Sequence, residues 1–158
     1  MSIKIEKAVP ENVSQIIALM REFAEYEKLL DRFEATEERL TRALFGEGQV
    51  AEAILAFDGD APLAYAIFFP TLATFRGQRG FFLEDIFITE TARSRGLGEI
   101  MLKYIAKIAK SRGFERIDFQ VLNWNAPAIN FYEKHGAVRD DEERHFKFTD
   151  DAFEKLAL

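Results

Sequence analysis

Apolar positions along the chain fall into two rhythms. Residues 2–8 alternate, with Ile3 and Ile5 on one side, which predicts a strand. Pro10-Glu11-Asn12 then opens a helix. Val13, Ile16, Ile17, Met20 and Phe23 recur at helical spacing, and the pattern ends near Glu27 or Lys28. A second, more polar helix is expected over residues 36–45, with Thr36 as its cap and Gly46 and Gly48 stopping it. Strands follow at 50–57 and 63–69, turned through Asp58-Gly59-Asp60 as a hairpin. Residues 71–80 hold no clear period and read as a loop. The most apolar strand spans 81–89, yet carries Glu84 and Asp85 at its middle. Residues 96–112 give the strongest helix: Leu97, Ile100, Met101, Tyr104, Ile105 and Ile108 form one stripe, Lys103, Lys107 and Lys110 point away, and Gly113 ends it. A strand is expected at 116–122. Asn125 then caps a short helix with Pro127 in its first turn and Gly136 after its last. A short strand at 144–148 and a helical turn at 152–156 complete the pattern.

The order β-α-α-β-β-β-α-β-α-β predicts an α/β fold with a mixed sheet flanked by helices. Strands 81–89 and 116–122 should run parallel, joined by a right-handed crossover through the long helix. No repeat or flexible linker divides the 158 residues, so a single domain over 1–158 is expected. A chain of this length buries about 70% of its unfolded surface, enough for one hydrophobic core.

Composition narrows the chemistry. There is no Cys, which excludes disulfides, thiolate metal sites and a Cys nucleophile. His135 and His145 are too far apart for a helical metal pair, and no metal is expected. The formal net charge of −6 argues against a nucleic-acid partner and suits a cationic one, although solubility alone also accounts for it. No apolar run of membrane-spanning length is present, and the first residues lack a signal-peptide apolar region. A soluble, cytoplasmic protein without a membrane partner is therefore expected.

Three stretches carry candidate chemistry. Arg93-Ser94-Arg95-Gly96-Leu97-Gly98 lies between a buried strand and a long helix. Backbone N–H groups at a helix start bind anions, glycines admit a phosphate close to the backbone, and two arginines add charge. A tight strand-to-helix turn explains the same residues equally well. No Gly-Lys-Ser/Thr follows for a P-loop, and a Rossmann fingerprint lacks its third glycine and later acid. Glu84-Asp85 is the second stretch: a charge inside an apolar strand needs a partner, either a structural ion pair or a ligand. In a regular strand these neighbours face opposite sides. The third is Asn123-Trp124-Asn125-Ala126-Pro127-Ala128-Ile129-Asn130-Phe131-Tyr132-Glu133, where Tyr132 alone reads as a core tyrosine.

Taken together, the strand, the R-x-x-G-x-G turn, the long helix, the next strand and N-x-x-A-x-x-F-Y resemble the GNAT acetyltransferase superfamily. LEDIFI, RSRGLG and NWNAPAINFYEKHGA look closer still to the spermidine/spermine (diamine) N-acetyltransferase family, and Ala24-Glu25-Tyr26-Glu27 fits that family's K-Y-E segment. The resemblance is strong from Leu83 to Ala137, moderate from Ile3 to Leu40 and weak in the tail. Ser94 stands where the family often has Gly, and the tail is shorter and lacks a Trp.

This resemblance implies a GNAT-like sheet of about six or seven strands whose splayed parallel pair holds acetyl-CoA. Pantetheine would pair with the backbone of Ile86, Phe87 and Ile88. The pyrophosphate would sit on the N–H groups of Arg93, Ser94, Arg95, Gly96, Leu97, Gly98 and Glu99, with the Glu99 side chain turned outward. Asn125 matches a cofactor-contacting position, and Lys134 is placed near the ribose phosphate. Tyr132 matches the general acid for the leaving thiolate. Glu84 matches a residue taking the amine proton through water, and Glu27 and Asp85 match amine-facing positions. The implied reaction acetylates a small di- or polyamine or a lysine-like amine. A protein terminus, an aminoglycoside, or a non-catalytic acyl-CoA-binding module are the alternatives. A homodimer is implied as well.

Overall fold

In the computed structural model, which describes residues 2–158, five strands share one sheet. They are β1 (Ile3–Lys7), β2 (Glu52–Asp58), β3 (Ala61–Ala73), β4 (Gln78–Ile88) and β5 (Arg116–Phe119), and they lie side by side in chain order. Every neighbouring pair is antiparallel except β4 and β5, which are parallel. Helices α1 (Val13–Tyr26) and α2 (Glu37–Phe45) follow β1, and α3 (Leu97–Ser111) connects β4 to β5. Chain contacts group into two units, residues 1–120 and 121–158. The first holds the whole sheet with α1 to α3. The second holds α4 (Ala126–Lys134) and α5 (Asp150–Leu156).

Each face of the sheet has its own apolar layer. Val13, Ile16 and Leu19 of α1 and Leu40 and Leu44 of α2 pack with Leu55, Tyr65 and Phe87. Leu97, Met101, Ile105 and Ala109 of α3 pack on the other face with Ile54, Phe68, Phe81 and Leu83. Met101 and Ile105 are fully buried, each contributing roughly 1.5–3 kcal/mol. Arg112, just past α3, forms a two-pronged pair with Glu52 at 2.5 and 2.7 Å, tying the helix end to β2. Where β4 meets β5, a Cβ on Gly80 would collide with the Arg116 backbone, so this approach requires glycine.

The sheet has five strands rather than six or seven. Residues 144–148 alternate in sequence but pair with no strand and lie exposed. Alternation supplies a face for a ladder, not the neighbouring edge that forms one. Residues 71–80 are not a loop: β3 runs to Ala73 and β4 starts at Gln78. The tight turn between them is closed by Gly77 N–H donating to Thr74 O at 3.1 Å, with Gly77 at φ +63. The ladder holds these polar residues extended without an apolar period of their own.

Strand β4 changes character at its middle. Phe68 pairs with Leu83 and the adjacent Ile67 with Asp85, so Glu84 is a surplus residue, a β-bulge. Before it, Phe81 and Leu83 face α3. After it, Ile86 and Ile88 take that face while Phe87 turns to α1. The parallel ladder with β5 also stops at the bulge, its last pair being Leu83 and Phe119. Beyond that point β4 continues for five residues with β3 on one side only.

Candidate active site

The bulge lifts Glu84 into solvent and puts Asp85 on the α1 side. There the Tyr65 hydroxyl, buried on β3, donates to Asp85 Oδ2 at 2.9 Å. Burial pushes the Asp85 carboxyl up to about 6, repulsion from Glu84 adds to this, and the Tyr65 hydrogen bond partly offsets it. Glu27, immediately after α1, is also raised, first by burial and then by Asp85. Tyr65 is driven upward by burial and by the same three carboxylates. Asp85 thus lies within electrostatic reach of both Glu84 and Glu27, and among the described residues none of the three forms an ion pair with a basic side chain.

An aromatic wall adjoins the acids. Phe87 stacks on Phe23 at 5.1 Å between ring centres and lies 6.5 Å from both Tyr26 and Tyr65. Arg93 caps this wall: its guanidinium lies 4.6 Å from the Tyr26 ring centre and 5.4 Å from that of Phe87. Its Nε donates to Ile88 O at 3.1 Å, and its amide closes a short turn on Glu90 O. Arg93 thus spends its charge inside the protein. Thr89 N–H donates back to Leu63 of β3, so by strand alternation the backbone groups of Ile88 and Ile86 face away from β3.

The start of α3 has the form of an anion cradle. Ser94 and Gly96 both take positive φ, +65 and +74, and Gly96 precedes the helix with no capping side chain. By contrast, Thr36 caps α2 and Asn125 caps α4 through side-chain hydrogen bonds. A Cβ on Gly96 would meet nothing within 4 Å. Left-handed Ser94 also explains why glycine suits that position. Leu97 is buried and anchors the first turn, while Glu99 pairs with Lys103 at 2.6 Å. Arg95 and Gly98 complete the loop. A helix start without a side-chain cap, preceded by alternating backbone handedness, suits an anion.

Tyr132, Asn125 and Lys134 belong to the second unit. Asn125 is buried and accepts from Ala128 N–H at 3.3 Å, opening α4 with Pro127 in its first turn. Tyr132 meets Phe131 edge-on at 5.3 Å, and its carbonyl accepts from the amides of His135 and Ala137 at the helix end. Lys134 is exposed in the last turn.

Two contributors have no signature in the sequence. Tyr65 sits between two alanines in an apolar strand, and nothing there indicates a partner twenty positions on. Glu22, mid-helix, accepts from the Thr89 hydroxyl at 2.7 and 2.9 Å and from Glu90 N–H at 3.2 Å, clasping α1 to the loop after β4.

A mixed sheet whose parallel ladder ends at a bulge is thus followed by a glycine-bearing helix start. The chain belongs to the GNAT acetyltransferase family, whose profile matches residues 14–137. It is 31% identical to the thialysine N-epsilon-acetyltransferase of Bos taurus, over 98% of this chain and 97% of that protein. It is 28% identical to the human spermidine/spermine N(1)-acetyltransferase-like protein 1, over 85% of this chain and 20% of that protein. The solved structure of an integron cassette protein from V. cholerae superposes with a TM-score of 0.83 at 25% identity, covering 99% and 98% of the two chains. The protein is an N-acetyltransferase, and acetyl-CoA is its acetyl donor. Among the described residues no helix is long and apolar enough to cross a membrane.

Proposed function

We propose that this enzyme acetylates a primary amine of a small di- or polyamine, or of a lysine-like molecule. The observation that carries this reading is Asp85, held by the Tyr65 hydroxyl and facing the carboxylates of Glu27 and Glu84, with no basic ion-pair partner for any of the three among the described residues. A cationic substrate relieves the repulsion on Asp85. The relatives named for thialysine and for spermidine/spermine support the class, since those acceptors carry more than one cationic nitrogen. The net charge of −6 adds a field that draws cations in.

Acetyl-CoA supplies a thioester; the amine nitrogen bonds to its carbonyl carbon and the carbon–sulfur bond breaks. Deprotonating an amine of pKa near 10.4 at neutral pH costs roughly 4–5 kcal/mol, so the proton needs a route. Glu84, exposed at the bulge, takes it through water in this reading. Tyr132 donates a proton to the departing thiolate and regains one from solvent. Ile86 and Ile88 hold the pantetheine amides, and the loop from Ser94 to Glu99 holds the pyrophosphate, the Arg93 amide expected there being turned to Glu90 O instead. Asn125 and Lys134 complete the cofactor's contacts. Carboxylates next to the reacting nitrogen would raise its pKa, so Glu27 and Asp85 are assigned to the distal nitrogen.

Acetyl-CoA turnover with a diamine and with the monoamine of equal chain length tests the reading. The diamine should have the higher kcat/KM, the preference should shrink with salt, and the rate should rise above neutral pH. Equal kcat/KM values would move the acceptor to a peptide terminus or a neutral-tailed amine. The resemblance also supports one catalytic domain and a homodimer, which light scattering at monomer mass would refute.

A further inference from the structure

We propose that Tyr65 is a specificity-determining positioning residue: it fixes the Asp85 carboxylate beside Glu27 so that a second cationic nitrogen of the substrate is gripped there. This rests on the proposed function, in which the acidic group receives the distal ammonium.

Tyr65 is fully buried in the apolar layer formed with Leu55, Ile67 and Phe87. A Phe would fill that space without burying a hydroxyl, which costs free energy unless it finds a partner. The partner it has is Asp85, a group whose own burial is costly. Two apolar side chains of the same shape would be neutral or better for stability, so stability does not account for the pair. The hydrogen bond fixes the carboxylate's otherwise broad terminal torsion. A carboxylate offers about four acceptor positions, and Tyr65 occupies one. The other groups around Asp85 are acids, Glu84 on its own strand and Glu27 after α1. Arg93, on the neighbouring aromatic wall, is turned to Ile88 O and the rings of Tyr26 and Phe87. What the pinned carboxylate lacks is a cationic donor.

Tyr65→Phe keeps the ring and removes the donor. The ratio of kcat/KM for a diamine over its equal-length monoamine should fall about tenfold, the size of one hydrogen bond to a charged group, through KM rather than kcat. In Asp85→Asn the further change Tyr65→Phe should leave that ratio where Asp85→Asn put it. The acidic inflection of diamine kcat/KM should move to higher pH in Tyr65→Phe, because the lost hydrogen bond favoured the ionised form. An unchanged ratio, an additive double variant or an unmoved inflection overturns the proposal. A wild type indifferent to diamine over monoamine overturns the underlying substrate reading instead. A wild-type preference that survives in Tyr65→Phe overturns only the role of Tyr65.

Discussion

Arg93 lies over the ring of Tyr26, 4.6 Å from its centre, so the last residue of α1 is clamped by the residue that leads into the anion cradle. The same guanidinium holds Ile88 O at the end of β4. Helix, strand and loop therefore meet at one side chain, next to Glu27. Arg93→Gln loses the ring contact and the charge-assisted hydrogen bond, and it should cost about 1–3 kcal/mol of stability. Acetyl-CoA affinity should drop several-fold because the loop loses its strut. Thermal unfolding and calorimetric titration check the two effects; wild-type CoA affinity would show that the loop holds itself.

Ser94 and Gly98 should respond in opposite senses. Ser94 is an L-residue in the left-handed region, a conformation that costs roughly 1–2 kcal/mol. Ser94→Gly removes that cost and adds back some unfolded-chain entropy, so a gain of up to about 1 kcal/mol in urea unfolding is expected. Gly98→Asp puts a carboxylate in the first turn of α3. The helix dipole favours it there, so stability should hold, yet phosphate would meet a negative charge. Acetyl-CoA affinity should fall at least tenfold; unchanged binding in the folded variant would falsify the cradle assignment.

Asp85 makes the fold less stable as pH rises. Its folded value is about 6 against the usual 3.8. Between those values the native state keeps a proton that the unfolded chain has lost, so stability declines through that window and stays reduced above it. The full effect is at most about 3 kcal/mol. Asp85→Asn keeps an acceptor for Tyr65 and removes the charge, and it also relieves Glu27. It should therefore melt several degrees above wild type at pH 8, with the gain fading towards pH 4. A gain independent of pH would assign the effect to packing.

Tyr132→Phe should lower kcat by about 10²–10⁴-fold, the range for general acid catalysis, while acetyl-CoA binding persists. The ring keeps its contact with Phe131, and the Tyr132 carbonyl still accepts the amides at the end of α4. Stopped-flow detection of thiol release with saturating amine decides; a near wild-type kcat removes the hydroxyl from the chemistry.

The sequence conveyed the elements whose instructions are local. The α3 stripe, the hairpin at Asp58-Gly59-Asp60 and the Asn125 cap each lie within a few residues, and each is present, except that Ile100 of the expected stripe lies exposed while Ala109 is buried in its place. The parallel pairing of β4 and β5 followed from the crossover between them. What failed to show depends on a second segment. The ladder that extends 71–80, the missing edge for 144–148 and the acceptor for Tyr65 are set by distant chain. Glu84-Asp85 stood out as charge in an apolar run, but alternation alone placed them on opposite faces of a regular strand. Only the register with β3 reveals that one of them is skipped.

The skipped residue bears on which changes in chain length this enzyme tolerates. A strand lacking Glu84 would run in plain alternation from Leu83 through Asp85, with Phe87 still towards α1 and Ile86 and Ile88 still towards α3. Both apolar layers would survive the deletion. The local bend would not, since bulges create extra twist, and β5 would be free to follow β4 further along its edge. A chain shortened by this one residue is thus expected to fold normally while losing the extra twist at the middle of β4. Insertion of a single amino acid, without any change to the core, is enough to exchange which side chains of one strand, odd- or even-numbered, face each of two helical layers.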